Sequence, residues 1–481
     1  MKKKPAQTVY LMGIGGIAMG TLATMLHERG YGVVGSDQNV YPPMSDHLLS
    51  LGITLYQGYA GENVSSTPAD CYVVGNVIRR ENPEAQMVLN SGKEYLSMPQ
   101  ALKKFFLCEH QSIVVAGTHG KSTTSSMLSW ILTQGGLDPS AFIGAFVKNW
   151  KRSYRLGKGK FMVLEGDEYD TAFFDKGPKF MHYQPHIGIV TSIEFDHADI
   201  FPDFQAVLEA FQAFARLIEP DGFLIVNADD PHCLSLKEHC RGNICTYGWN
   251  DRADWRILDV TFKEGLTLFH YKSPHDSSKK CMTTRLPGRH NVSNSMAAIV
   301  AARLAELNDE SIGQGLLTFE GVRRRYDVLG EPQGILIVDD FAHHPTAVRE
   351  TLASIGEFHP GRRLLAVFEP RTNSSRRAVF QKDYVRVFDS ADRIYLKEPH
   401  NLESIPPAHR LQTEKLVEEI KARGRLARSF KESGKLLNAL LADVCRGDVI
   451  VFMSNGSFDG LPHAFLNALQ GPRQPPRMAP S

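Results

Sequence analysis

The sequence predicts an α/β protein in which three domains, each built on a mostly parallel sheet, follow one another along the chain. Its 481 residues correspond to about three domains at roughly 150 residues each. Short apolar runs alternate with longer stretches of helical periodicity, and this alternation is typical of βαβ units. A composition of 42% apolar and 22% charged residues is that of an ordinary folded protein.

The charge balance and the cysteines limit the classes of function. Lys and Arg number 54 and Asp and Glu 53, a net charge of +1, so no overall field favours binding to nucleic acid or to an anionic membrane. The seven cysteines are odd in number and scattered, which fits a reducing compartment. We therefore expect a cytoplasmic protein without a nucleic-acid or membrane partner and without an obligatory protein partner.

The first domain is predicted over residues 1–109, with a strand at 8–12, a helix to about residue 29 and a strand at 32–36. The turn after the first strand is nearly the dinucleotide fingerprint G-x-G-x-x-G/A, which docks a diphosphate on a helix N-terminus in Rossmann-like folds. The turn supplies Gly13, Gly15, Gly16 and Gly20, and Asp37 follows the second strand. The helix is expected to bury one apolar face, formed by Ile17, Ala18, Leu22, Met25 and Leu26.

Two other interpretations of this N-terminal segment must be weighed. Three lysines at positions 2–4 before an almost uncharged stretch imitate a secretory signal, but the glycines and the second strand favour a folded βαβ unit. The glycine fingerprint alone also fits an NAD-dependent oxidoreductase. That function stays open as an alternative.

The second domain is predicted over residues 110–327 and begins with a phosphate-binding loop. An apolar strand at 112–116 leads into Gly117-Thr118-His119-Gly120-Lys121-Ser122-Thr123, and a helix follows over 121–134, stopped by two glycines. Backbone N–H groups and a helix N-terminus would face an anion here, Lys121 would reach the β and γ phosphates, and Ser122 could ligate magnesium. The first glycine is closer to the second than in the common P-loop.

Carboxylates follow two of the predicted strands in this domain. The run at 165–170 contains Glu168 and comes after the apolar stretch 161–164, where a carboxylate can hold Mg²⁺ beside a phosphate loop. A second run, at 194–199, places three carboxylates around His197 after the strand at 187–191. It predicts either a second metal site or a hydrogen-bonded loop histidine. The adjacent His343 and His344 lack the spacing of zinc ligands.

The remaining elements complete the three domains. A strand is predicted at 223–227, and the period falls toward two over 256–286, which indicates a small antiparallel patch. Residues 288–294 precede an Ala-rich helix, and their amides could read a nucleotide base or, as the local pattern favours, cap that helix. The third domain, residues 328–470, resumes the Rossmann-like rhythm with strands at 335–338, 364–368, 393–396 and 449–453. The tail at 471–481 contains four prolines and is predicted to be disordered.

The motifs together resemble those of the Mur ligase family. GTHGKST, EGDEYD, EFDHAD, GRHNVSN, RRRYD, DDFAHHP and the glycine turn at residue 13 occur in that family's order, and the resemblance extends to about residue 470. It implies three domains, which bind a UDP-sugar, ATP and the incoming amine. It also implies an enzyme that uses ATP to join a UDP-linked muramoyl carboxylate to an amino acid or peptide through an acyl phosphate.

The resemblance assigns roles to individual residues. It implies that the catalytic residues are Lys121, Glu168, His197 and Arg325, and that the Mg²⁺ ligands are Ser122, Glu168 and His197. The ATP site would contain Gly117, Thr118, His119, Gly120, Lys121, Ser122, Thr123, Asn291, Asn294, Arg325 and Asp340. The UDP-sugar site would contain Gly13, Gly15, Gly16, Ile17, Met19, Gly20 and Asp37. The peptide site would contain Arg371, Asn373, Ser454 and Asn455.

The resemblance also limits which amino acid or peptide is expected as the acceptor. Some family members carry a carbamoylated lysine after the Asp-His motif, but counted from Asp196 that position falls at Phe211 here. A carbamoyl-lysine bridge between two metals is therefore not expected, and the chain is nearer the branch that joins L-alanine to UDP-N-acetylmuramate. Stretches at 39–45, 170–176, 369–373 and 454–458 are more similar to enzymes that attach the tripeptide L-alanyl-γ-D-glutamyl-meso-diaminopimelate in peptidoglycan recycling. The tripeptide is therefore the expected acceptor and L-alanine the alternative.

Overall fold

Three sheets follow one another along the chain in the computed structural model, which describes residues 7–42, 44–198, 200–274, 276–403 and 405–471. They have five, ten and six strands. The predicted α/β class and the dominance of parallel pairing are confirmed. Pro43 in the stretch 39–45, Asp199 in the second acidic run and residues 472–481 of the predicted tail lie outside the described residues.

The N-terminal sheet is parallel throughout, in the order β3-β2-β1-β4-β5. Its elements are β1 Thr8–Met12, α1 Ile17–Glu28, β2 Gly32–Asp37, α2 Met44–Ser50, β3 Thr54–Gln57, α3 Gly61–Ser66, β4 Cys71–Val74, α4 Pro83–Ser91, β5 Tyr95–Ser97 and α5 Met98–Phe105. The strand order reverses at β1. The glycine turn therefore lies at a topological switch point, where open α/β sheets bind ligands.

One prediction for α1 is wrong. Leu22, Met25 and Leu26 are fully buried, but Ile17 is 67% exposed and Ala18 is exposed as well. The helix begins beyond the carboxyl end of β1, so its first turn projects past the sheet and has no strand to cover it. The exposed Ile17 therefore lies at the open mouth of the glycine turn.

The central sheet has the order β15-β14-β13-β12-β11-β10-β6-β9-β7-β8. Its elements are β6 Gln111–Ala116, α6 Lys121–Gln134, β7 Ser140–Val147, β8 Arg152–Arg155, β9 Phe161–Gly166, β10 Ile187–Val190, α7 Phe204–Arg216, β11 Phe223–Asn227, α8 Pro231–Ser235, β12 Asn243–Gly248, β13 Trp255–Lys263, β14 Leu266–Ser273, β15 Asp276–Thr284, α9 Arg289–Leu304 and α10 Asp309–Thr318. The predicted antiparallel patch is β13 to β15. Because β6 pairs with both β9 and β10, the loops after these three strands are neighbours.

The C-terminal sheet has the order β16-β17-β21-β18-β19-β20 and is parallel except for β16. Its elements are β16 Asp327–Gly330, β17 Leu336–Asp340, α11 Pro345–Phe358, β18 Leu364–Phe368, α12 Gln381–Val387, β19 Arg393–Lys397, α13 Thr413–Ala422, β20 Leu426–Phe430, α14 Ser433–Asp443, β21 Val449–Met453 and α15 Leu461–Gln470. In the described part of the chain, no helix combines the length and apolarity that crossing a bilayer requires.

Candidate active site

The loop between β6 and α6 has a backbone that requires glycine at two positions. Gly117 and Gly120 have φ values of +133° and +81°, in the region that favours glycine. A Cβ on Gly117 would lie 2.1 Å from Thr191 Oγ1, and one on Gly120 would lie 2.5 Å from Asn294 Oδ1. The loop is therefore fixed against the end of β10 and the start of α9, with the N-terminus of α6 open toward a ligand.

Lys121, Glu168 and His197 converge from three neighbouring strand ends. The Lys121 Nζ lies 2.9 Å from Glu168 Oε2, and the His197 Nε2 lies 3.2 Å from Glu168 Oε1. Burial favours a higher pKa for Glu168, but the Lys121 charge and the His197 hydrogen bond outweigh it and lower that pKa. Burial likewise opposes the charged form of His197, but Glu168 raises the His197 pKa. An ionised carboxylate thus lies between the Lys121 ammonium and the His197 imidazole.

A second carboxylate lies beside the Ser122 hydroxyl. The Ser122 Oγ donates to Glu165 Oε1 at 2.7 Å, and the Gly144 N–H donates to Glu165 Oε2 at 2.8 Å. Burial and the nearby Asp167 raise the pKa of Glu165. The sequence predicted Ser122 as a metal ligand and Glu165 only as one carboxylate of the acidic run at 165–170, and it did not pair the two residues. The structure shows why, because the contact depends on the pairing of β6 with β9, and Ser122 and Glu165 are 43 positions apart in the sequence.

In the second acidic run, Asp196 Oδ1 accepts the His197 backbone N–H at 2.7 Å and Asp199 lies outside the described residues, whereas Glu194 contacts two other histidines. The Glu194 Oε2 lies 3.3 Å from His119 Nε2 and 3.4 Å from His344 Nδ1, and it accepts a hydrogen bond from Thr346 Oγ1 at 2.7 Å. Burial favours a higher pKa for Glu194, but the hydrogen bonds from His119 and Thr346 outweigh it and lower that pKa to about 2. Glu194 therefore joins the phosphate loop to the start of α11 and leaves His197 to Glu168.

Acidification is expected to destabilise the folded chain through His344. The imidazole is 6% exposed, and burial, followed by the nearby His119, lowers its pKa from 6.5 to about 4. The unfolded chain therefore binds the proton more readily. The stabilisation that depends on neutral His344 is complete above the pKa of this histidine in the unfolded chain and is lost as the pH falls toward its pKa in the folded chain. By about pH 5 the loss amounts to about 2 kcal/mol.

Thermal unfolding of the wild type and of His344→Gln between neutral pH and about pH 5 measures this effect. The variant should lose less stability on acidification than the wild type. The same pH dependence in both proteins would show that His344 does not carry the effect, because the other titrating groups are common to the two.

A cavity of about 790 Å³ extends from the phosphate loop to the C-terminal sheet. It is lined by the predicted ATP-site residues His119, Gly120, Ser122, Thr123, Asn291, Asn294, Arg325 and Asp340. The Asp340 carboxylate accepts hydrogen bonds from the backbone N–H groups of Tyr326 at 2.7 Å and Ala342 at 2.8 Å. These bonds hold the segment of Arg325 against the cavity.

Sequence reasoning missed several residues of this cavity. Trp249 lines the cavity, and the Arg289 guanidinium lies 3.8 Å from its ring centre. The backbone N–H of Trp249 donates to Asp229 Oδ2 at 2.8 Å. His290 lies at the same wall. A single Trp or Asp between two strands carries no spacing signal, so these residues could be found only from the fold.

The predicted UDP-sugar residues divide into two groups. Gly15, Gly16 and Ile17 are open at the mouth of the N-terminal sheet, whereas Gly13, Met19 and Gly20 are buried. A Cβ on Gly20 would lie 2.4 Å from Met44 Sδ, so this glycine allows α1 and α2 to pack closely. The Gly15 N–H donates to Asp37 Oδ2 at 2.8 Å. Asp37 therefore braces the turn.

The predicted peptide-site residues Arg371, Asn373, Ser454 and Asn455 follow β18 and β21 at the same edge of the C-terminal sheet. The Ser454 Oγ donates to Glu369 Oε2 at 2.6 Å, and Arg371 Nη1 lies 3.6 Å from Glu369 Oε1. Arg376 Nη2 donates to Asn373 Oδ1 at 2.7 Å. The buried Glu369 received no role from the sequence.

Comparison with known proteins agrees with this geometry. Three family models match in succession: "Mur ligase family, catalytic domain" over residues 8–108, "Mur ligase middle domain" over 115–302 and "Mur ligase, glutamate ligase domain" over 324–456. The chain is 35% identical over 476 residues to UDP-N-acetylmuramate--L-alanyl-gamma-D-glutamyl-meso-2,6-diaminoheptandioate ligase of Escherichia coli, covering 96% of this chain and 98% of the relative.

Two further matches bear on the branch. UDP-N-acetylmuramate--L-alanine ligase of Syntrophobacter fumaroxidans is 32% identical over 455 residues, covering 94% of each chain. The crystal structure of a murein peptide ligase from Psychrobacter arcticus superposes with a TM-score of 0.71 at 29% identity, covering 98% of this chain and 100% of that one. The oxidoreductase alternative is therefore dropped. The chain belongs to the Mur ligase family, whose members use ATP to form amide bonds.

Proposed function

We propose that this enzyme joins the tripeptide L-alanyl-γ-D-glutamyl-meso-diaminopimelate to UDP-N-acetylmuramate with hydrolysis of ATP, in peptidoglycan recycling. The observation that carries the proposal is the convergence of Lys121, Glu168 and His197 beside the phosphate loop, whose other residues line a cavity that reaches the C-terminal sheet. A triphosphate bound at this loop would lie beside the C-terminal sheet, which would hold the peptide.

The donor set near the loop fits Mg²⁺. It consists of hydroxyl and carboxylate oxygens of Ser122, Glu165 and Glu168 with one imidazole, that of His197, and Mg²⁺ prefers hard oxygen ligands. Ser122, Glu168 and His197 would hold the ion, and Glu165 is a further ligand candidate. When bound, the ion neutralises charge on the triphosphate.

The protein's own groups would promote acyl phosphate formation. The muramoyl carboxylate attacks the γ-phosphorus, the bond to the bridging oxygen breaks, and ADP leaves. Lys121 and Arg325 are placed to stabilise the negative charge on the transferred group. The free amine of the peptide then attacks the acyl carbon, and phosphate leaves as the amide forms. Closure of the central and C-terminal sheets around the cavity would exclude water from this mixed anhydride.

The expected acceptor is supported by residues at the edge of the C-terminal sheet. Arg371 and the buried Glu369 lie together at the edge of the sheet that would hold the incoming peptide, and a guanidinium suits a peptide that carries several carboxylates. The cytoplasm is the proposed location, since all seven cysteines are free thiols and ATP is the substrate.

The acceptor is tested by competition between the two peptidoglycan amines. With purified enzyme, ATP and UDP-N-acetylmuramate, the tripeptide should release phosphate with a kcat/KM at least about 100-fold above that for L-alanine, because alanine leaves the polar groups of the peptide site unpaired. Mass spectrometry of the product should show the amide. A preference for L-alanine would instead make this a UDP-N-acetylmuramate:L-alanine ligase.

A further inference from the structure

A fully buried carboxylate lies at the edge of the C-terminal sheet where three strands end. Glu369 follows β18 and has an exposed fraction of 0%. Its Oε2 accepts the Ser454 hydroxyl hydrogen bond at 2.6 Å, but Oε1 has no hydrogen-bond donor among the described residues. Buried carboxylate oxygens are normally paired, because an unpaired one loses its hydration without compensation. The free Oε1 therefore indicates an acceptor kept for another group.

The groups beside Oε1 are a guanidinium and an imidazole that reach solvent. Arg371 Nη1 lies 3.6 Å away and His400 Nε2 lies 3.9 Å away, and these side chains are 39% and 45% exposed. Both distances are too long for a hydrogen bond. Lys397 Nζ lies 3.2 Å from His400 Nε2, so that nitrogen is placed to accept. The ion pair between Glu369 and Arg371 is thus open to exchange.

The backbone makes room for Arg371 in this position. A Cβ on Gly456 would lie 2.2 Å from Arg371 Cδ and 2.4 Å from its Nε, so any larger residue would displace the guanidinium. Arg324 Nη2 donates to the carbonyl oxygens of Ser454 and Gly456, each at 2.5 Å. The loop after β21 is therefore a fixed wall for the Arg371 side chain.

The charges present disfavour a divalent metal ion at this place. Glu369, His400 and Asp459 have ligand atoms close enough to hold one. The Arg371 guanidinium and the Lys397 ammonium lie against the same groups, and their positive charges repel a second cation. A ligand that brings one positive and one negative charge, by contrast, leaves the local charge unchanged.

We propose that Glu369 and Arg371 bind a zwitterionic amino-acid group at the far end of the incoming peptide. The ligand's ammonium would pair with Glu369 Oε1, and its carboxylate would pair with Arg371, which replaces one loose ion pair by two close ones. The inference rests on the proposed function. A diaminoheptanedioate residue joined through one amino group keeps an ammonium and a carboxylate on the same distant carbon, whereas a lysine residue keeps only the ammonium.

Three acceptor peptides distinguish the contribution of the distant ammonium from that of the distant carboxylate. They are the natural tripeptide, its L-lysine analogue without the distant carboxylate, and its L-2-aminopimelate analogue without the distant ammonium. Glu369→Gln should raise the KM of the diaminopimelate and lysine peptides about tenfold and leave that of the aminopimelate peptide unchanged, because one charged hydrogen bond is lost. Arg371→Met should raise the KM of the diaminopimelate and aminopimelate peptides about tenfold and spare the lysine peptide.

The controls distinguish binding from a structural role. The KM values for ATP and UDP-N-acetylmuramate should not change in either variant, and Glu419→Gln on α13 should match the wild type with all acceptors. A loss of equal size for all three acceptors, or no loss, overturns the inference. Arg371→Met changes a partly exposed side chain, so it tests the site even if Glu369→Gln fails to fold.

The proposed function and the inference about Glu369 and Arg371 can be contradicted by different results. Wild-type enzyme that releases no phosphate with any of the three acceptors contradicts the ligase assignment to this peptide. Calorimetric titration of the tripeptide into the wild type and Glu369→Gln still tests the inference. Weaker binding by about tenfold in the variant supports it, whereas equal binding in both proteins, or none in the wild type, overturns it.

Discussion

Replacement of Lys121 by alanine is expected to reduce ADP formation by at least about 1,000-fold, because the charge that meets the transferred phosphoryl group is lost. Burial opposes the charged ammonium, but Glu168 and Asp167 raise its pKa, so it is protonated at neutral pH. Its Nζ is held by the Gly117 carbonyl at 2.7 Å as well as by Glu168. The cation therefore has one fixed position above the helix N-terminus.

The variant should still bind UDP-N-acetylmuramate, since the glycine turn at the end of β1 belongs to a separate sheet. Calorimetry measures that affinity, and coupled assay of ADP measures turnover. Lys263→Ala removes a lysine that is 72% exposed and should behave as the wild type. Wild-type turnover by Lys121→Ala would refute the assignment of the phosphate loop. Lys121→Arg, which keeps the charge, tests whether any loss reflects charge or shape.

Prediction from the sequence succeeded for several strands that are buried on both faces. The strands Thr8–Met12, Leu364–Phe368 and Val449–Met453 were predicted with their exact bounds, because interior strands of parallel sheets read as continuous apolar runs. Arg152–Arg155 and Asp327–Gly330 are edge strands and were not predicted. An edge strand has one neighbour and one solvated side, so its sequence carries a weaker signal.

The same distinction holds within the candidate site. Lys121 and the acidic run at 165–170 each follow an apolar run within a few residues, so local pattern was enough to select them, and the family resemblance then singled out Glu168. Trp249 and Glu369 act through neighbours that lie far away in the sequence, for example the contact between Glu369 and Ser454 across 85 positions. Such contacts depend on which strands are neighbours in the sheet, and no local pattern specifies that order.

Replacement of Glu168 by glutamine should lower kcat by roughly 100-fold to 1,000-fold, because one negative charge among the proposed Mg²⁺ ligands is lost. Glutamine preserves the size of the side chain but not its ion pairs with Lys121 and His197. The Mg²⁺ concentration for half-maximal activity should therefore rise. Since Glu168 raises the pKa of His197, that pKa should fall in the variant, which NMR titration of the imidazole can measure without turnover.

The combination of readouts separates a metal-site role from a general loss of structure. Glu168→Asp keeps the charge at a shorter reach and should retain more activity than Glu168→Gln, with a His197 pKa closer to the wild type. Glu219→Gln changes an exposed carboxylate and should leave both the Mg²⁺ response and the rate unaltered. If Glu168→Gln kept the wild-type rate and Mg²⁺ dependence, the carboxylate between Lys121 and His197 would be only an internal counterion, and the metal ligands would have to be sought at Glu165 and Asp167.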